Sequence, residues 1–240
     1  MLNEQHKQAF LHNVSLALGR NEVPKSVEPY DFTKGPQHHV MSEVQTDDEI
    51  LARFKVECDK LAIQYTEVDP SGLKDAVIKV LEDYGGGKVI CPDVPQMEKY
   101  GLNEAFAELE GKDGLHFVKW EPARGREYNI DNAQDANIGI TFPWMAIAET
   151  ATVLQESVAG SGRSVGLLPI THVAIVHRST IKRRMGDTMV ALRKQFQDDP
   201  ANFPSAVVHI SGPSSTADIE LVRVVGVHGP VNVTYIIVND

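Results

Sequence analysis

From about residue 46 onward, short β-branched apolar runs alternate with segments whose apolar residues recur every three or four positions. This alternation constrains the fold more than any other feature of the chain. The runs are Lys88 to Cys91, His116 to Trp120, Ile138 to Thr141, Ala151 to Gln155, His172 to Val176, Ala206 to Ile210 and Val233 to Val238. Between them lie helical stripes, among them Leu73, Val77, Val80 and Leu81 before Gly85, and Met185, Met189, Leu192 and Phe196 before Pro200. Strand alternating with helix predicts an α/β fold, a largely parallel mixed sheet flanked by helices.

The N-terminal part reads differently. Phe10, Val14 and Leu18 at helical spacing, with Gly19 as a stop, predict a helical arm over residues 2–18. Periodicity then vanishes while Pro24, Pro29 and Pro36 recur, which predicts an extended linker. The expected organisation is an arm and linker over residues 1–45 and one domain over 46–240. Thr46-Asp47-Asp48-Glu49 has the form of a capping box opening the first domain helix, whose buried stripe includes Leu51, Phe54 and Cys58.

Thirty-three acidic against 23 basic residues give a net charge of −10, which repels phosphate backbones and anionic membranes, so nucleic acid is not an expected partner. No run approaches the length of a membrane span, and the first residues lack the pattern of a secretory leader, so the expected location is the cytoplasm. The two cysteines, Cys58 and Cys91, form no Cys-x-x-Cys pair, and the nine histidines form no His-x-x-x-His pair. No cofactor or metal is therefore expected in this chain.

The familiar catalytic signatures are absent. Gly85-Gly86-Gly87-Lys88 precedes a strand and reads as a helix stop, not a Walker loop. The glycine segment from Gly160 to Gly166 is one residue too long for a dinucleotide fingerprint, and no Gly-x-Ser-x-Gly elbow occurs.

Polar density remains in three segments of the C-terminal half. In the first, Ala148 to Thr152, Glu149 stands beside two hydroxyls as a base, a nucleophile or a plain exposed carboxylate. The second, Ser211 to Glu220, follows an apolar run and reads as a strand end turning into a helix start. There Ser214, Ser215, Thr216 and Asp218 either bind an anion or merely cap the helix. The third is a pair of glycine turns carrying Arg163, suited to clamp a carboxylate, and His228, suited to move a proton, unless both are plain surface turns. Together these residues are expected around one cleft at the strand ends, with a small carboxylate as ligand. Lys182-Arg183-Arg184 reads as a solvated face or a docking patch.

Taken in order, Ala148 to Thr152, the Leu167-Leu168-Pro169 step, His172 to Val176, Ser211 to Glu220 and Gly226-Val227-His228-Gly229-Pro230 resemble the lactate-utilization (LUD) domain family over roughly residues 46–240. The resemblance implies a fold similar to the glucosamine-phosphate isomerase, ribose-phosphate isomerase and CoA transferase-like superfamily. It also implies a role as a subunit of a cytoplasmic system oxidising L-lactate to pyruvate, in an accessory or substrate-handling capacity. The expected partners are the cysteine-rich A and ferredoxin-like B lactate utilization subunits, which would carry the iron–sulfur clusters. CoA transferases of that superfamily use a glutamate nucleophile, which invites comparison with Glu149. The alternative is a stand-alone acyl- or phosphoryl-type enzyme related to CoA transferases or 5-formyltetrahydrofolate cyclo-ligase.

Overall fold

The computed structural model describes residues 3–26, 43–217 and 223–240. The chain divides into two compact units, Met1–Ser42 and Glu43–Asp240. In the first, helix α1 (Glu4–Ala17) starts at Asn3, whose side chain accepts the amide of Gln5. It stops where Gly19 takes φ +71°, which lets the Arg20 amide reach the Ser15 carbonyl. Pro29 and Pro36 of the expected linker lie outside the described residues.

The second unit opens with α2 (Asp47–Lys60), and the capping box is formed in both directions. The Glu49 amide donates to Thr46 Oγ1 at 3.3 Å, and the Thr46 amide donates to Glu49 Oε2 at 2.9 Å. Leu51, Phe54 and Cys58 are its buried stripe. Such a cap contributes about 1 kcal/mol. Further on, α3 (Leu73–Asp83) ends in a Schellman turn: the Gly86 amide reaches the Leu81 carbonyl and the Gly85 amide that of Glu82. Gly85, Gly86 and Gly87 all have positive φ, so the glycine run is the helix stop that its position before a strand predicts.

The main sheet is six-stranded and parallel throughout. Its strands are β1 (Gln64–Val68), β2 (Lys88–Cys91), β3 (His116–Lys119), β4 (Ile138–Thr141), β7 (Thr171–His177) and β12 (Asn232–Val238), in the order β1-β12-β7-β4-β2-β3. The middle strands are covered on both faces, so they read as continuous apolar runs instead of alternating ones. One face packs on α3 and on α5 (Leu102–Leu109) through Val77, Leu81, Phe106, Ile140 and Ile236. Two short strands, β5 (Met145–Ile147) and β8 (Ile181–Lys182), join β6 (Thr152–Glu156) and β9 (Val207–Ser211) in a second sheet ordered β8-β5-β6-β9. The two sheets are tied by Tyr235 of β12, whose ring stacks on Phe54 at 5.6 Å and whose hydroxyl donates to the Ala151 carbonyl.

One expectation is overturned. The segment after β9 does not enter a helix, because Ser215–Ala217 forms β10, paired antiparallel with β11 (Arg223–Val225). The Ser214 amide donates to the Pro230 carbonyl and the Gly226 amide to that of Ser214, so the backbone is spent on a hairpin. Neither helix-start amides nor a helix dipole exist at Ser214, Ser215 and Thr216.

Candidate functional site

Along the main sheet the chain runs from β2 outward to β3, then returns past β2 to β4 on its other side. The order reverses between β2 and β4, and in parallel sheets the crevice beyond the C-terminal ends of such strands is where ligands bind. The residues that follow those ends, Pro92 after β2 and Phe142 after β4, line a cavity of about 200 Å³ there. Gln96, Gln155, Glu156 and Ser161 complete its polar wall. By volume it holds a three-carbon acid or about six waters.

Glu156 is the ionisable group of this crevice. It is the last residue of β6, half-buried, and its Oε1 accepts a 3.4 Å bond from Gln195 Nε2 on α8 (Met185–Asp198). Burial raises its carboxyl above the ordinary range, and the Gln195 bond only partly opposes this. A carboxyl shifted upward in a cleft suits proton transfer near neutral pH.

Behind the crevice lies a buried polar cluster. His172 Nε2 and Thr141 Oγ1 are 2.7 Å apart, while His172 Nδ1 and Gln155 Oε1 have no partner. With nothing to stabilise its charge, the fully buried imidazole is lowered to about 4 and is neutral at physiological pH. Along the same sheet edge, Tyr100 stacks on Phe142 and its hydroxyl lies 3.4 Å from His177 Nε2; His177 Nδ1 in turn lies 3.0 Å from Asp240. Ser179 holds Asp240 through its amide and its hydroxyl.

The loop from Ser157 to Gly162 separates this crevice from a larger cavity of about 950 Å³, and Val158 lines both. A Cβ on Gly162 would stand 2.3 Å from the Trp120 ring, and one on Gly160 would stand 1.9 Å from the Asp93 carbonyl oxygen. The glycines are therefore required by close packing, which separates this segment physically from a dinucleotide loop. Trp120 Nε1 donates to the Ala159 carbonyl and the Asp93 amide to that of Gly160, clamping the loop.

The LUD domain family matches residues 38–238. The chain belongs to this family. It is 38% identical to lactate utilization protein C of Bacillus licheniformis over 98% of this chain and 97% of the relative. It is 36% identical to the protein of the same name in Bacillus subtilis, with the same coverage. A solved structure of a DUF162 family protein from Deinococcus radiodurans superposes with a TM-score of 0.57, at 21% identity, over 81% of this chain and 99% of that one, which shows the shared fold.

Within this LUD domain the site residues read from sequence fall in separate places. Glu149 lies in the β5–β6 turn, at the opposite end of β6 from Glu156, where it accepts a 3.1 Å bond from Arg184 Nε. Near it, Thr150, Thr152 and Ser211 form a hydroxyl chain with 2.6 Å steps. Arg163 stands at the start of α7 (Ser164–Leu167) and lines the larger cavity. Ser214 is packed against the Gly226–Pro230 turn, where a Cβ on Gly229 would come within 3.1 Å of its own Cβ. His228 in that turn is exposed, as are Ser215 and Thr216 on the hairpin, and Asp218 lies outside the described residues. The structure thus joins Ser214 to the turn bearing His228, and leaves Glu149 and Arg163 apart.

Both cysteines are free and buried, Cys58 on α2 and Cys91 in β2; burial pushes the Cys58 thiol up to about 12 and raises that of Cys91. Among the described residues no three His, Cys, Asp or Glu side chains gather as a metal set. No helix among them is long and apolar enough to cross a membrane.

Proposed function

We propose that the chain takes part in lactate utilization as the component that handles the small acid, with A and B partner subunits carrying the iron–sulfur clusters. The observation that carries this reading is 36–38% identity across 98% of the chain to relatives named lactate utilization protein C. The crevice between β2 and β4 supports it with a volume suited to lactate or pyruvate. Oxidation of a 2-hydroxy acid to the 2-keto acid releases two electrons and two protons, one from the hydroxyl and one from Cα; Glu156 is the half-buried carboxyl that accepts the hydroxyl proton in this reading, and the Cα proton passes to solvent. The electrons pass to redox groups of the partners, since such chemistry needs a cofactor.

The test is growth on L-lactate as sole carbon source of a bacterium whose own C-type protein has been deleted. Expression of this chain is expected to restore growth. Failure to grow with the chain present, folded and accompanied by the A and B subunits would contradict the proposal.

A further inference from the structure

The larger cavity has a chemistry of its own. Its charged lining residues are Arg126 and Arg163, with no carboxylate among them, in a chain whose net charge is −10. Both guanidinium groups are exposed, and neither makes an ion pair or hydrogen bond among the described residues. Four other arginines are spent on ion pairs: Arg53 with Glu57, Arg178 with Asp48, Arg183 with Asp187 and Arg184 with Glu149. Two unspent cationic forks on one concave surface select an anion, since each can bind carboxylate or phosphate oxygens in two-point fashion.

The rest of the lining specifies what that anion carries. Trp120 and Phe203 supply aromatic surface, and the Trp120 ring is fixed by its bond to Ala159 and by Gly162 lying against it. Phe203 is braced edge-on by Phe196 at 5.3 Å. Ser157, Ser164 and Ser205 add hydroxyls. Asn129 adds none, because its amide is consumed by the backbone of Glu121 and Gly125. At about 950 Å³ the cavity far exceeds a three-carbon acid and matches a cofactor-sized molecule.

We propose that this cavity binds a ligand of the nucleoside diphosphate class, its ring on the Trp120 and Phe203 walls and its phosphates on Arg126 and Arg163. The site is independent of the lactate reading, which rests on the neighbouring crevice and Glu156. A nucleic acid strand is disfavoured by the acidic surface, whereas a free nucleotide meets only the local pair of cations.

The test is calorimetric titration of the full chain with ADP and, separately, with pyrophosphate, alongside the fluorescence of Trp120 and Trp144. ADP is expected to saturate at micromolar to low-millimolar concentration, about tenfold tighter than pyrophosphate, with a change in tryptophan emission. Arg126→Ala and Arg163→Ala, both at exposed positions, are each expected to weaken ADP about tenfold. Absence of saturation by ADP below about 10 mM would overturn the proposal. So would binding unchanged in both arginine variants, or pyrophosphate binding as tightly as ADP. Growth on lactate does not enter this measurement, so its outcome is separable from that of the proposed function.

Discussion

Replacing Gly139 by alanine lowers the stability of the domain by about 3 kcal/mol or more. Gly139 sits in the middle of β4, paired with His172 of β7 and Ile90 of β2, where α7 crosses the strand. An added Cβ would lie 2.0 Å from the Val165 carbonyl oxygen and 2.7 Å from the Pro169 ring. Both obstacles are stiff, one being backbone and the other a proline, so relief requires α7 to lift from the sheet. Gly166 on α7 is equally confined, since a Cβ added there would lie 2.4 Å from Gln155 Oε1. For a chain of 240 residues the loss corresponds to a fall of about 6–12 °C in Tm. Gly186→Ala in α8 serves as the control, because nothing lies within 4 Å of its would-be Cβ and its helical position favours alanine. It is expected to stabilise by about 0.5–1 kcal/mol. Thermal unfolding of the two variants checks both signs, and a Gly139→Ala protein as stable as the parent would show that α7 is not seated as described.

Acid weakens the fold through His172. The imidazole is fully buried and neutral, with a folded value lowered to about 4 by burial against an ordinary value of 6.5. Between those values the unfolded chain binds a proton that the folded chain refuses, so stability falls as pH falls through this window and is regained above it. The contribution is about 2 kcal/mol between pH 7 and pH 5, by linkage from those two values. Urea unfolding at the two pH values is expected to show this loss in the parent and its removal in His172→Gln. An equal pH dependence in parent and variant would place the acid sensitivity on other groups.

The β-strands legible in the sequence are those that carry an apolar run of four residues or more, whether central like β4 and β7 or at a sheet edge like β3 and β9, whereas the three-residue β5 is too short to read. β2 and β4 coincide with their apolar runs, β3 and β12 differ by one residue at one end, and β6, β7 and β9 by one residue at each end. The edge strand β1, Gln-Tyr-Thr-Glu-Val, pairs only with β12 and keeps half its side chains in water, so it carries no apolar run to read. Helix α6 (Gly125–Gln134) buries only Asn129 and Ala133, too little for a stripe. At residues 215–218 a Ser/Thr-x-x-Asp pattern suits a helix cap and a β-hairpin equally, and pairing with Arg223–Val225 decides in favour of the hairpin.

The site was less legible because its residues converge only through topology. Arg163 could be picked out as a basic side chain in a glycine-rich turn, and it does line a cavity. Glu149 drew attention through its neighbouring hydroxyls, but its partner Arg184 is 35 residues away and unforeseeable from spacing. Glu156 gave little signal, being a single carboxylate at the end of an apolar strand. Its significance arises because β6 delivers it to the crevice where β2 and β4 diverge, a relation between strands distant in sequence. Tyr100, His177 and Asp240 meet for the same reason, at the common C-terminal edge of a parallel sheet.

The most direct test of Glu156 in the crevice is calorimetry of pyruvate binding to the full chain near pH 6, in two buffers of different ionisation enthalpy. An anion entering beside a carboxyl whose pKa is already raised favours its neutral form further, so binding takes up protons. Uptake of a fraction of a proton per pyruvate is expected in the parent and none in Glu156→Gln. Absence of pyruvate binding, or the same proton uptake in the variant, would contradict the role of Glu156 in the crevice.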